Sequence, residues 1–167
     1  MCFQTFLLNP GSMKKTNVMR ILDQQKIDYI VIEYEYDPDQ LSVEKIATNN
    51  AIPLELVYKT LVAIGDKTGP VVAVVPGGKT LDFKAFAALS GNKKVGLAPV
   101  KDIQQLTGYI RGGCSPIGMK KHYPVWLDQS ADTHEKIFVN AGSRGLLVQL
   151  NPTDLLNACN GQLGQLS

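Results

Sequence analysis

Apolar residues recur at helical spacing at Val18, Ile21 and Leu22. The pattern predicts an amphipathic helix that Thr16 or Asn17 would cap. From Tyr29 to Tyr36 it changes to β-branched and aromatic residues, which favour a strand, and Asp37-Pro38-Asp39 supplies turn chemistry to close it. Ser42 then caps a short helix with Val43, Ile46 and Ala47 on one face, and Pro53 suits the first turn of another helix holding Leu54, Leu56 and Val57. Two apolar runs, Thr60–Ile64 and Val71–Val75, joined through Gly65–Gly69, read as a hairpin. Asp82 opens a helix expected to bury Phe83, Phe86, Ala87 and Leu89, with Gly91 as its stop. Val95–Leu97 reads as extended, and a helix after Pro99 turns Ile103 and Leu106 inward and ends at Gly108. Strands follow at Val125–Leu127, Ile137–Val139 and Leu146–Leu150. Asn151 and Pro152 then start a last helix carrying Leu155, Leu156 and Cys159.

This order predicts one α/β domain, a mixed, mostly antiparallel sheet surrounded by helices. Residues 1–12 stand apart in composition and read as an extension or tag-like tail. The domain runs over 13–160, and 161–167 reads as a polar C-terminal tail. There is no internal repeat, and no GxGxxG follows a strand, which argues against a dinucleotide-binding fold.

Composition narrows the class without naming it. Of 167 residues, 44% are hydrophobic and 19% charged, which suits a globular chain with a real core. No apolar run reaches the ~20 residues that span a bilayer. A net charge of +2 does not by itself advertise nucleic-acid binding. Contact with RNA would need a local patch such as Lys93, Lys94, Arg111, Lys120, Lys121 and Arg144, which read equally well as a solvated basic surface. Cys2, Cys114 and Cys159 are too scattered for a disulfide framework, and neither His122 nor His134 has a ligand partner at metal-binding spacing. The expectation is a reduced, cytoplasmic protein without a metal site.

Three places could carry chemistry. Lys59 stands at the head of a hydrophobic run, where its ammonium could hold a carbonyl or phosphate oxygen, or simply snorkel to the surface. The stretch Arg111-Gly112-Gly113-Cys114-Ser115-Pro116-Ile117-Gly118 cannot form a regular element. Its free N–H groups could line an oxyanion site, or the loop could be a structural turn. Arg144, within Gly142-Ser143-Arg144-Gly145, is either an ordinary turn residue or a clamp for an RNA phosphate. Cys114 has no evident paired base, so it reads as a small packed residue rather than a nucleophile.

Taken together, Tyr34-Glu35-Tyr36-Asp37-Pro38, Tyr58-Lys59-Thr60, Leu81-Asp82-Phe83-Lys84, Thr107-Gly108-Tyr109, the glycine loop with Lys120-Lys121, and Gly142–Leu146 resemble the YbaK/EbsC family. These are Cys-tRNA(Pro) deacylases related to the editing domain of prolyl-tRNA synthetase, and the resemblance runs from about Val18 to Ala158. It implies trans-editing of mischarged Cys-tRNA(Pro) without metal or organic cofactor, with aminoacyl-tRNA and prolyl-tRNA synthetase as partners. By resemblance Lys59 is the key site lysine, and Tyr34 and Thr60 line its pocket. Gly112, Gly113 and Ser115 would contact the aminoacyl ester, with Gly118, Gly142 and Arg144 completing the site. The resemblance also implies a substrate-assisted route, in which the thiol of the bound cysteine attacks its own ester. The sequence departs from the family at Cys114, often aliphatic in members, and at Leu147, often acidic. Editing of another small amino acid such as alanine, and a non-catalytic tRNA- or nucleotide-binding module, are the rival expectations.

Overall fold

The computed structural model describes residues 14–167; the extension expected at 1–12 lies outside the described residues. Helix α1 (Asn17–Gln24) starts where the Thr16 hydroxyl accepts from the Met19 N–H, and it buries Val18, Met19 and Leu22. Strand β1 (Ile30–Glu33) is shorter than the run of β-formers suggested. Tyr34 leaves the ladder after its N–H donates to the Gly145 carbonyl at 2.8 Å. The Asp37 side chain then turns the chain by accepting from the Asp39 N–H. Helix α2 (Val43–Asn49) is capped by Ser42. The helix expected after Pro53 is one 3-10 turn, Leu54–Leu56, because Val57 already runs extended into the next strand.

Strands β2 (Tyr58–Gly65) and β3 (Gly69–Pro76) form the expected hairpin, with Gly65 and Gly69 paired, so the loop is shorter than the sequence suggested. Helix α3 (Phe83–Ser90) begins on the Asp82 cap and stops at Gly91, whose φ is +78°. Phe86 is its anchor, meeting Trp126 edge-on at 5.7 Å. Phe83 and Leu89, expected inside, are exposed. After β4 (Val95–Leu97) and a 3-10 turn, helix α4 (Ile103–Thr107) ends on Gly108, and Ile103 and Leu106 are half-buried. The remaining elements are β5 (Val125–Asp128), β6 (Ile137–Asn140), β7 (Leu146–Leu150), α5 (Pro152–Cys159) and β8 (Gln162–Gly164).

The strands form a three-stranded sheet, β1-β7-β6, and a five-stranded sheet, β4-β2-β3-β5-β8. Pairing is antiparallel except for β3 with β5 and β5 with β8. A parallel bridge between Val57 and Phe138 ties one sheet to the other. The residues read as a polar tail are therefore part of the fold. β8 closes the sheet edge, Leu166 is fully buried, and its N–H donates to the Asp128 carboxylate at 2.9 Å. Alternation sorts the core. Val72 and Val74 join Val18, Leu22, Ile137 and Val148 on one side of the large sheet, while Val71, Ala73 and Val75 join Phe86 and Trp126 on the other. A third cluster of Tyr34, Ala47, Val57, Phe138 and Leu147 packs where the sheets meet. No helix among the described residues is long and apolar enough to cross a membrane.

Candidate active site

Tyr34, Val57 and Leu147 of the third cluster line a cavity of about 350 Å³. It lies at the start of β2, roofed by residues 41–46 at the head of α2 and walled by the Arg111–Cys114 loop. β4 pairs with β2 only from Ala63 to Gly65, so the outer edge of Tyr58–Leu61 has no neighbour from that strand. Side chains of successive strand residues leave opposite faces, yet Lys59 and Thr60 both border the cavity because it wraps round this edge. Lys59 is half-buried, and its Nζ donates to the Gly77 carbonyl at 3.3 Å. The Thr60 hydroxyl is buried and has no hydrogen-bond partner among the described residues. The Val62 carbonyl accepts from the Ala98 N–H on the outer edge, so alternation turns the Thr60 N–H and C=O to that same edge, where β6 approaches β2 through the Val57–Phe138 bridge.

Tyr34 and Leu147 line the cavity from the smaller sheet, both nearly buried. Burial raises the Tyr34 phenol above its ordinary pKa, partly offset by a hydrogen bond with the Gly145 backbone, so the group stays neutral. Leu147 makes this part of the lining apolar. It faces Asn140 across the β6–β7 ladder.

Asn140 is the residue that the sequence reading missed. Its Nδ2 donates to the Gly112 carbonyl at 2.8 Å, while its Oδ1 accepts from the Gly142 and Ser143 N–H groups at 2.7 and 3.2 Å. One amide therefore knots both glycine loops together at the cavity wall. The signal was the order Asn140-Ala141-Gly142 at a strand end, since asparagine commonly accepts from the backbone two residues ahead.

The glycine loop divides in two. Arg111, Gly112 and Cys114 line the cavity. The Gly113 N–H donates to the Ile110 carbonyl at 2.9 Å, closing a turn that needs positive φ at Gly112, where φ is +83°. A Cβ on Gly113 would stand 3.2 Å from the Arg144 nitrogen, so that glycine lets the two loops approach. Ser115 is fully buried, and its hydroxyl accepts from the Ile117 N–H. Gly118 and Gly142 make room for the Tyr109 ring: a Cβ on either would lie 3.0–3.1 Å from a Tyr109 atom. Arg144 donates from Nε to the Arg111 carbonyl at 2.7 Å. The structure thus brings Lys59, Thr60, Tyr34 and Gly112 to one cavity. It places Gly113, Ser115, Gly118, Gly142 and Arg144 behind the wall, where they shape and brace the loops.

Burial pushes the Cys114 thiol up to about 11, with Thr107 partly offsetting it, so at neutral pH it is a protonated, weak nucleophile. No histidine lines the cavity. Among the described residues no three of His, Cys, Asp and Glu cluster as metal ligands would. Besides the Glu44 carboxylate, the cavity presents two cations, Lys59 and Arg111, and the Thr60 hydroxyl. They can orient a small polar acyl group and stabilise negative charge on its carbonyl oxygen.

Residues 37–158 match the aminoacyl-tRNA editing domain. The chain belongs to the aminoacyl-tRNA editing domain family. An Enterococcus faecalis protein named as a Cys-tRNA(Pro)/Cys-tRNA(Cys) deacylase, EbsC, is 46% identical over 93% of this chain and 95% of its own length. The proline–tRNA ligase of Thermosipho africanus is 31% identical over 54% of this chain, a match covering 16% of that enzyme. A crystal structure described as a trans-editing enzyme for prolyl-tRNA synthetase shares the editing-domain fold. Its TM-score is 0.76 at 22% identity, over 92% of this chain and 99% of that one.

Proposed function

We propose that this chain is a cytoplasmic aminoacyl-tRNA deacylase that clears Cys-tRNA(Pro) in trans, with Lys59 as its central site residue. What carries the reading is the meeting of Lys59, the unpartnered Thr60 hydroxyl and the Gly112 turn in one cavity whose only protein thiol stays protonated. Such a site offers no activated protein nucleophile, and the family resemblance implies that the substrate supplies one. The sulfur of the bound cysteine attacks its own ester carbonyl carbon, and the bond from that carbon to the terminal ribose oxygen breaks. The thiol proton ends on the ribose hydroxyl, leaving uncharged tRNA and a thiolactone that water opens to cysteine. The Lys59 ammonium faces the carbonyl oxygen as negative charge develops there. The cavity walls hold sulfur and carbonyl in attacking geometry, a contribution of about 7–11 kcal/mol when orientation is good.

The likeness to prolyl-tRNA synthetases supports tRNA(Pro) as the carrier and the synthetase as a partner that presents it. The test is turnover of Cys-tRNA(Pro) and Ala-tRNA(Pro) by the purified protein. Cleavage of the cysteinyl ester well above the alanyl ester is expected. Faster alanyl cleavage would move the specificity to alanine, and binding without cleavage of either would make the chain a tRNA-binding module.

A further inference from the structure

An aromatic ring packed on the cavity residue Tyr34 and a cation on the cavity wall are not used by the proposed chemistry. Tyr36 is 44% exposed. Its ring meets that of Tyr34, a cavity residue, at 6.3 Å and 68°, an edge-to-face contact that fixes its tilt. Gly145 lies against it: a Cβ there would stand 3.2 Å from Tyr36 Cε1, so the glycine lets the ring settle on the backbone. The ring is therefore braced on one side and open to solvent on the other. Next to Gly145 in the chain, Arg144 reaches across to hold the Arg111 carbonyl. Arg111 occupies the tip of the Ile110–Gly113 turn, exposed and bordering the cavity. Among the described residues neither guanidinium takes part in an ion pair.

We infer that Tyr36 and Arg111 form a subsite for the single-stranded 3′ end of the RNA, with Tyr36 stacking the terminal adenine and Arg111 holding the adjoining phosphate. The identity of that RNA rests on the deacylase reading. The chemistry comes from the rim itself: an immobilised open ring takes a base by stacking, and an unpaired guanidinium takes a phosphate by bidentate contact.

The experiment compares binding of uncharged RNA hairpins ending in CCA or in CC, so it needs no catalysis. The native protein should bind the CCA end about tenfold more tightly. Tyr36→Ala should erase that preference, and Tyr36→Phe should keep it, because stacking does not need the hydroxyl. Arg111→Ala should weaken binding of both hairpins and lower the slope of log affinity against log salt by about one. Equal binding of the two ends by the native protein, or a preference that survives Tyr36→Ala, would overturn the inference. End preference without cleavage of Cys-tRNA(Pro) defeats the deacylase reading alone, and cleavage without end preference defeats the subsite alone.

Discussion

Two buried oxygen groups in the larger sheet are treated in opposite ways. The Asp128 carboxylate, 3% exposed at the end of β5, accepts from the backbone and hydroxyl of Ser130, the N–H of Leu166, and the backbone and hydroxyl of Ser167. Through Ser130 it also reaches the Tyr58 hydroxyl, 2.9 Å from Ser130 Oγ. Thr60, two strands away in the same sheet, buries its hydroxyl with no partner among the described residues. A saturated carboxylate is an anchor, here bolting the chain end and the start of β2 to β5. A buried hydroxyl left open forfeits a hydrogen bond during folding, and the loss is recovered only when a ligand supplies the partner.

That contrast is broken most forcefully on the anchor side. Asp128→Ala strands five donors and should lower stability by about 3 kcal/mol or more, read as the urea midpoint. On the cavity side Lys59→Ala should reverse the pattern. We expect turnover to fall about 100-fold, as when one charge-stabilising donor is removed, with the midpoint almost unmoved. Thr60→Val is a subtler version, keeping the volume and deleting only the open hydroxyl. Turnover should fall about tenfold while stability holds or rises slightly, and a clear loss of stability would mean that the hydroxyl is structural.

A separate effect, confined to alkaline pH, concerns the thiols. Burial holds both Cys114 and Cys159 up to about 11, against 9.0 in an exposed thiol. A raised folded pKa gives stability that is intact below about pH 9. It should drain away toward pH 11, as unfolded thiols ionise and buried ones do not, by on the order of 2 kcal/mol per thiol. Cys114→Ala should flatten part of that slope and leave turnover near the native value. An inactive, folded Cys114→Ala protein would make the thiol a protein nucleophile.

The sequence made the local devices readable and hid the distant ones. Thr16, Ser42, Asp82 and Asn151 act as N-caps and Gly91 and Gly108 end helices because each depends on neighbours a few residues away. The resemblance to the family brought Lys59, Thr60, Tyr34 and Gly112 into one list, and the fold brings the same four to one cavity. It could not separate wall from brace: Gly118 and Gly142 need to be small because Tyr109 packs against them, a contact across the chain. β8 was hidden for a similar reason. Its short polar stretch has no pattern of its own and becomes a strand through parallel pairing with β5 and the Asp128 clamp. Tyr34–Tyr36 has strand composition, yet β1 ends at Glu33 and Tyr34 turns into the cavity lining.

The central claim is that the cavity orients a substrate whose own thiol does the chemistry. Single-turnover cleavage of Cys-tRNA(Pro) beside Ser-tRNA(Pro) tests it most directly, since the two differ by one sulfur for oxygen. The account predicts cysteinyl cleavage at least about 100-fold faster, because a hydroxyl is a far weaker nucleophile than a thiol at neutral pH. Equal rates would contradict it and require a nucleophile from water or from the protein.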